Sequence, residues 1–190
     1  MKVLVTGTST GIGRGIAEKF LAEGHTVIGL DVAESTIAHE NYAHYIADVA
    51  CPEQLPAVEG VEILINNAGG YPKEIYEGRE HQAIRLWEWS EEQWDQIIRT
   101  NLRIPFLCMK HVIPVMIRQG SGKIVSVSSR MGRIASQMGA YSVAKGGIVT
   151  MTKTAAIQPQ DYGIQVTAGA PGLVDTPGQR VYNPSVGQGD

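Results

Sequence analysis

Short apolar runs alternate with helical patterns from the first residues of the chain, and this order constrains the fold most strongly. Val3 to Val5 form an apolar run that ends at Gly7, which is typical of a buried parallel strand. A helix is predicted next, because apolar side chains recur at a spacing of four residues before a glycine stop, at Ile12, Ile16, Phe20 and Gly24. Parallel strands need crossovers long enough for a helix, so this order predicts a parallel sheet with helices on both faces.

The alternation continues through most of the chain. Further strands are predicted at residues 26–30, 43–47, 62–65, 123–127 and 163–168, a short helix within 51–58, and longer helices at 91–118 and 140–157. Pro105 is expected to kink the first long helix, and Pro114 to bend it or end it early. After Pro171 the chain is rich in Gly, Pro and Gln, and residues 177–190 are expected to form an irregular tail. The predicted fold class is therefore α/β, a doubly wound parallel sheet in three layers, with 1–190 forming a single domain.

Composition excludes several classes of protein. A chain of 190 residues that is 43% hydrophobic can bury one large core without disulfides or a structural metal. The net charge of −3, with both signs spread along the chain, argues against nucleic acid or an anionic membrane as the main partner. Cys51 and Cys108 stand alone, which excludes a disulfide framework or zinc cluster and favours a reduced, cytoplasmic location. Neither a membrane span of ~20 apolar residues nor a signal peptide is predicted.

The turn between the first strand and the first helix is rich in glycine. Residues 6–13 read TGTSTGIG, and glycine at three positions allows a tight turn that a pyrophosphate can approach closely. The N-terminus of the helix would then offer unpaired N–H groups and a positive dipole end to that anion. The spacing is G-x3-G-x-G and not the usual G-x-G-x-x-G dinucleotide fingerprint. A glycine-rich turn without a ligand therefore stays open as the alternative.

An acidic residue, Asp31, ends the second predicted strand. A carboxylate at this position accepts hydrogen bonds from the ribose hydroxyls of an adenosine. A 2′-phosphate would meet a negative charge there, and neither Thr10 nor Val32 is basic, although Arg14 could swing toward a phosphate. We therefore predict NAD as the cofactor, with NADP less favoured, and a solvated carboxylate at the strand end as the alternative interpretation.

A second acidic residue, Asp48, ends the third predicted strand. Its carboxylate could bond the adenine amino group, with Val49 against the ring. An Asx turn or a helix cap before Pro52 fits the same residue equally well.

Tyr141 and Lys145 stand four residues apart at the start of a predicted helix, which puts both side chains on one face. A tyrosine with a pKa of ~10 is a poor base at neutral pH, but a nearby cation and the positive end of a helix lower that pKa. Ser129 comes twelve residues before Tyr141, just past a strand end, where its hydroxyl can donate to a substrate oxygen. The alternative is a surface lysine lying over an aromatic ring.

Together these segments resemble the short-chain dehydrogenase/reductase family, in its one-domain, NAD(P)-dependent branch. The matching positions follow the family's order: 6–13, 48–49, 66–69, Asn101, Ser128 and Ser129 with Gly132, Tyr141 with Lys145, and Pro171 and Gly172 with Val174 and Thr176. The resemblance implies a Rossmann fold and a hydride-transferring oxidoreductase that acts on a secondary alcohol or ketone. It also implies a homodimer or homotetramer, with the helices at 91–118 and 140–157 paired across a two-fold axis.

For the site, the resemblance implies a catalytic tetrad of Asn101, Ser129, Tyr141 and Lys145. Tyr141 would exchange a proton with a substrate oxygen that Ser129 holds. Lys145 would lower the Tyr141 pKa and bond the nicotinamide ribose, and Asn101 would hold a water in a relay from Lys145 to solvent. Ser128 is the alternative serine, and Ser129 is preferred because it stands three residues before Gly132.

The residues expected to bind the cofactor lie in the same motifs. Asn67 is expected to be structural, with Asn66 nearer the cofactor, and Val174 and Thr176 are expected to contact the carboxamide. The full set is Gly7, Ser9, Thr10, Gly11, Ile12, Gly13, Asp31, Asp48, Val49, Asn66, Ala68, Gly69, Tyr141, Lys145, Pro171, Gly172, Val174 and Thr176.

The chain also departs from the family's pattern. The crossovers after Asp31 and Asp48 are unusually small, and Thr167 stands where the family usually has Asn. Typical members are longer, so the C-terminal helices and the last strand are expected to be missing after Thr176. Residues 69–90 are expected to form a substrate or interface loop, with a solvated insertion as the alternative. The alternative function is a nucleotide-binding regulator or scaffold that keeps the fold with little or no turnover.

Overall fold

The computed structural model describes residues 1–72, 75, 84–134, 136 and 138–182. Its sheet comprises β1 (Lys2–Thr6), β2 (Thr26–Asp31), β3 (Tyr42–Ile46), β4 (Ile63–Asn66), β5 (Gly122–Val127) and β6 (Ile164–Gly169). The strands pair in the order β3-β2-β1-β4-β5-β6, and every pair is parallel. The chain thus runs outward from β1 to β3 and returns on the other side of β1 at β4, which puts the topological switch point between β1 and β4. The predicted α/β class and doubly wound sheet are confirmed.

The helices follow the predicted order, but the long helix predicted over 91–118 differs from the prediction in two ways. They are α1 (Gly11–Ala22), α2 (Glu91–Ile98), α3 (Ile104–Gln119), α4 (Ala140–Ile157) and α5 (Pro177–Tyr182). A π-helical turn, Arg99–Arg103, joins α2 to α3, so the single helix predicted over 91–118 consists of three segments. Pro105 lies in the first turn of α3, directly after the π-helical turn. The expected early end at Pro114 is wrong, because α3 continues past it to Gly120, whose φ of 69° ends the helix.

Alternating side chains of the sheet build two separate cores. Val3 and Val5 of β1 face α1 and pack against Ala17 and Leu21. Leu4, between them in sequence, faces the opposite side and belongs to the cluster that includes residues of α3 and α4. Because both faces are covered, β1 lies at the centre of three layers, and its carboxyl end is held rigidly where the glycine-rich turn begins.

The crossovers after β2 and β3 are small, as expected from the sequence. Residues 32–41 join β2 to β3 without a helix, and one 3₁₀ turn, Pro52–Gln54, is the only helical structure between β3 and β4. The short helix predicted within 51–58 is reduced to that turn. Within the described part of the chain, no helix is long and apolar enough to cross a bilayer.

The predicted irregular tail contains one short helix, α5. Thr176 Oγ1 accepts a hydrogen bond from the Gln179 amide, and Arg180 makes two contacts of 2.7 Å with the Asp175 carboxylate. These local polar contacts stabilise a turn that hydrophobic periodicity does not reveal. Residues 183–190 lie outside the described part of the chain.

Candidate active site

The glycine-rich turn follows β1 at the switch point of the sheet. Gly7 and Gly11 have φ angles of 75° and 60°, a region that side-chain-bearing residues rarely adopt. A Cβ at Gly13 would overlap the Gly7 carbonyl oxygen and the Asn67 amide, so α1 can approach the turn only with glycine there. Thr10 precedes α1 without a capping bond from its side chain. The first N–H groups of α1 are therefore available to an anion such as a pyrophosphate.

The segment after β4 is tied to this turn by Asn67. Its Nδ2 donates to the carbonyls of Thr6 at 3.0 Å and Gly7 at 3.2 Å. Thr6 Oγ1 accepts from the amides of Asn67 at 3.0 Å and Ala68 at 2.9 Å. These bonds agree with the expected structural role of Asn67. The Asn66 side chain is buried and donates at 3.2 Å to Oγ of Ser126, the residue paired with it on the neighbouring strand β5.

Asp31 lies beside the turn at the end of β2. Its carboxylate accepts hydrogen bonds from the amides of Ser9 at 2.9 Å and Ala33 at 3.1 Å, one on each oxygen. Each oxygen keeps a further lone pair. Asp31 therefore joins the glycine-rich turn to the loop after β2 and still offers acceptors for hydroxyl groups.

Asp48 forms the Asx turn that the sequence left open, with Oδ1 accepting from the Ala50 amide at 2.9 Å. Its Oδ2 lies 2.7 Å from an Arg99 guanidinium nitrogen. Burial alone raises the pKa of Asp48, but hydrogen bonds from Arg99 and Ala50 outweigh that effect and hold the pKa below its usual value. Val49 is buried in the core. Nothing in the sequence pattern pointed to Arg99, which belongs to the π-helical turn.

Lys145 reaches the active-site edge from the second turn of α4. The side chain is only 4% exposed, and Nζ donates to the Val127 carbonyl at 3.0 Å. Burial lowers the pKa of Lys145 to about 8 because it penalises the charged form. Nζ lies 5.6 Å from the centre of the Tyr141 ring, so the predicted shared helix face is present.

Tyr141 and Ser129 meet across the mouth of the site. Burial raises the pKa of the Tyr141 phenol, while a hydrogen bond with Ser129 acts in the opposite direction. The expected lowering of this pKa by Lys145 is therefore not found, since burial of the ring dominates. The Ser128 hydroxyl uses its proton elsewhere, because it donates to the Lys145 carbonyl at 2.7 Å. Of the two serines, Ser129 is the one beside the phenol.

Asn101 is completely buried within the π-helical turn. Its side-chain amide makes two hydrogen bonds to the Gly70 backbone. Nδ2 donates to the Gly70 carbonyl at 2.7 Å, and Oδ1 accepts from the Gly70 amide at 2.9 Å. A Cβ at Gly69 would lie 2.8 Å from Asn101 Oδ1 and 3.6 Å from Lys145 Nζ. Gly69 therefore passes between the Asn101 amide and the lysine, and the structure brings both toward one point.

The segment at residues 171–176 closes the other side of the glycine-rich turn. The Pro171 carbonyl accepts from the Arg130 amide at 3.1 Å, and Gly172 and Val174 are exposed. A cavity of about 740 Å³ separates α1 from this segment. One end of it is lined by Thr10, Gly11, Ile12, Val174 and Thr176, which the sequence assigned to the cofactor, and the rest extends along α1 as far as Glu23. Thr176 also begins α5, so its hydroxyl already has one partner.

An aromatic cluster borders the Tyr141 phenol. The Tyr71 ring lies 5.5 Å from the Tyr141 ring and 6.3 Å from the Trp89 ring, measured between centroids. Trp87, by contrast, is 78% exposed. Within the predicted loop at 69–90, residues 73–74 and 76–83 lie outside the described part of the chain.

Known proteins resemble the chain across nearly its whole length. The sequence profile of the short chain dehydrogenase family matches residues 1–186. An uncharacterized oxidoreductase of Bacillus subtilis, YxjF, is 35% identical, over 91% of this chain and 70% of that protein. The 3-oxoacyl-[acyl-carrier-protein] reductase FabG of Vibrio cholerae is 33% identical, over 95% of this chain and 76% of that protein. The solved structure of Thermoplasma acidophilum aldohexose dehydrogenase aligns with a TM-score of 0.79 and 31% identity, covering 93% of this chain and 68% of that one.

Proposed function

The chain belongs to the short-chain dehydrogenase family, and from that premise we propose that it is an NAD-dependent oxidoreductase. It transfers a hydride between nicotinamide and a secondary alcohol or ketone. The observation that carries this proposal is the grouping of Ser129, Tyr141 and Lys145 at the carboxyl edge of the sheet, beside an uncapped helix N-terminus.

Two residues act on the substrate oxygen in this reaction. In the direction of reduction, the carbonyl carbon gains the hydride, and its oxygen takes the proton of the Tyr141 hydroxyl. The raised pKa of that hydroxyl keeps it protonated at neutral pH, as a proton donor must be. Ser129 holds the same oxygen by donating a hydrogen bond. A nicotinamide cofactor supplies the hydride when bound.

Lys145 and Asn101 support that proton transfer. With its pKa at about 8, Lys145 is mostly charged at neutral pH and stabilises the phenolate left after the proton has moved. In the direction of oxidation, the same charge favours loss of the phenol proton. Asn101 fixes Gly70, and with it the loop beside Lys145, and we assign it the water-relay position that the family resemblance implies.

The residues at the glycine-rich turn support NAD as the cofactor. The available N–H groups of α1 suit a pyrophosphate, and the two backbone bonds to Asp31 hold its carboxylate where ribose hydroxyls would be recognised. A 2′-phosphate would be repelled by that carboxylate. Asp48 has its carboxylate engaged by Arg99, so any adenine contact would use its remaining lone pairs.

The test separates binding from turnover. NADH and NADPH binding is measured by calorimetry, and NADH oxidation is followed with a panel of cyclic, aryl, alkyl and 3-oxoacyl ketones. We expect tighter binding of NADH than of NADPH and turnover of at least one ketone. Binding without turnover would favour a nucleotide-binding regulator, and failure to bind either nucleotide would overturn the proposal.

A further inference from the structure

We propose that Tyr42 and His44, on the edge strand β3, are positioning residues for the adenosine half of the cofactor. They hold the corner formed by Asp31 and Ala33 against the glycine-rich turn. This inference rests on the proposed function, because it concerns the cofactor assigned to that turn.

The sheet is built to admit the Tyr42 hydroxyl beneath the turn. Gly29 stands in the middle of β2, where a glycine weakens a strand. A Cβ there would collide with the Tyr42 hydroxyl and come within 2.6 Å of Thr8 Oγ1. The glycine therefore makes room for a hydrogen bond of 2.9 Å between Tyr42 and Thr8, whose side chain is fully buried in the turn.

The contacts continue from Tyr42 to the loop after β2. The Tyr42 hydroxyl also lies 3.0 Å from His44 Nδ1, and His44 Nε2 lies 2.9 Å from the Ala33 carbonyl. A carbonyl only accepts, so the imidazole carries a proton on Nε2 and donates it to Ala33. Tyr42 and His44 alternate with Tyr45 along β3 and lie on the face that packs against α1.

The Ala33 carbonyl is held from two sides. It accepts from Ser9 Oγ at 3.1 Å as well as from His44, while Thr36 Oγ1 donates to the Ser9 carbonyl at 2.8 Å. With no helix between β2 and β3, these bonds replace helix packing in fixing the loop. Because Asp31 accepts from the amides of both Ser9 and Ala33, the direction of its carboxylate depends on the same bonds.

Loss of one of these bonds should weaken recognition of the adenosine ribose. The variant Tyr42→Phe keeps the ring and its packing but removes the hydroxyl from buried Thr8 and from His44. We expect its Kd for NADH and for ADP-ribose to rise about five- to tenfold, the effect of one lost hydrogen bond. The effect on kcat at saturating NADH should be small, because Tyr42 is remote from the phenol. NADPH should lose less affinity than NADH, because the 2′-phosphate already disturbs the Asp31 corner.

ADP-ribose and reduced nicotinamide mononucleotide separate positioning from general damage, since each carries one half of the cofactor. Binding of the mononucleotide should be unchanged in Tyr42→Phe, whereas a variant that is merely destabilised would lose both ligands. Tyr45→Phe is the matched control, because Tyr45 points to the opposite face and is 44% exposed. His44→Gln, which can still donate to Ala33, should restore part of the affinity lost in His44→Ala.

The outcomes distinguish this inference from the proposed function. Unchanged ADP-ribose affinity in Tyr42→Phe, or an equal loss of both half-cofactors, would overturn it. A wild-type chain that binds neither NADH nor ADP-ribose would overturn both. If ADP-ribose binding weakened as expected in Tyr42→Phe but the wild type turned over no ketone, the positioning role would be supported and the proposed dehydrogenase activity excluded.

Discussion

At the scale of single residues, Lys145 carries an unusual cost for the folded chain. Its pKa of about 8 lies below the ordinary value of 10.5, so between these two pH values the unfolded state binds more protons than the folded state. Stability contributed through this residue therefore rises with pH across that window, while the burial penalty is fully present below it. The lysine that we assign to the proton transfer therefore opposes folding at neutral pH.

The variant Lys145→Met removes this pH dependence. Above pH ~8, the free energy of unfolding of the wild type should increase relative to that of the variant, by up to about 1.4 kcal/mol per pH unit. Denaturant titrations between pH 7 and 9.5 measure the difference, with exposed Lys123→Met as the control. If the free energies of unfolding of the wild type and Lys145→Met changed in parallel with pH, the lowered pKa of Lys145 would be wrong.

The variant Tyr141→Phe tests the proton transfer. The phenyl ring can still pack against Tyr71, so the fold and NADH binding should change little. Loss of a positioned general acid should reduce kcat by about 10²–10⁴-fold. Steady-state kinetics on the best ketone, together with NADH calorimetry, measure both. An active variant would exclude Tyr141 as the proton donor.

The placement of these side chains could largely be predicted from their spacing in the sequence. The shifts of their pKa values could not. A separation of four residues on a helix correctly predicted that Tyr141 and Lys145 share a face. The sign of the Tyr141 pKa shift could not be predicted, because it depends on how deeply side chains distant in sequence, such as Tyr71, bury the phenol. The Asp48–Arg99 pair was missed for the same reason, since 51 positions separate its members.

At the scale of elements, two of the three glycines of α1 have opposite surroundings. Gly13 is buried against the Gly7 carbonyl, whereas a Cβ at Gly15 meets nothing within 4 Å. The variant Gly15→Ala should stabilise the chain by up to ~1 kcal/mol through helix propensity. Gly13→Ala should destabilise it by about 1–3 kcal/mol and weaken NADH binding, because the turn must move away from α1.

Thermal and denaturant unfolding of the two variants provide a matched comparison within one helix. If Gly13→Ala proved as stable as Gly15→Ala, the close approach of α1 to the turn would be wrong.

Element positions were predictable wherever hydrophobic period and length agreed. The helix predicted at 140–157 matches α4, and the predicted strands fall within one or two residues of β1 to β6. The π-helical turn was not predictable, because the apolar positions of 91–118 fit one continuous helix. The π-helical turn differs from a continuous helix in holding a buried asparagine, Asn101, that hydrogen-bonds Gly70. That contact is visible only in the three-dimensional structure. Helix α5 depends on capping and an ion pair and leaves no periodic signal.

At the scale of the whole molecule, the sheet order determines which motifs meet. Residues from the ends of β1, β2, β4 and β5 converge because parallel strands all end at the same edge of the sheet. The sequence alone predicted that convergence once the fold was recognised. The loop contacts at this edge, including those of Tyr42 and His44, depend on a crossover without a helix and required the structure.

The outer faces of α3 and α4 carry apolar side chains that suit a second copy of the chain. Phe106 of α3 is 49% exposed and Val143 of α4 is 51% exposed. We therefore expect a homodimer or homotetramer that pairs these helices, with both residues buried at the interface.

The variant Phe106→Glu would place a charge in that interface without a partner. We expect it to raise the dimer Kd at least ~100-fold, because burying an unpaired charge costs several kcal/mol. Sedimentation velocity at micromolar concentration should then find monomers with unchanged circular dichroism. Ile46→Glu, an exposed apolar residue on β3 at the opposite edge of the sheet, should leave the oligomer intact. A wild-type monomer, or a dimer that tolerates Phe106→Glu, would exclude this pairing.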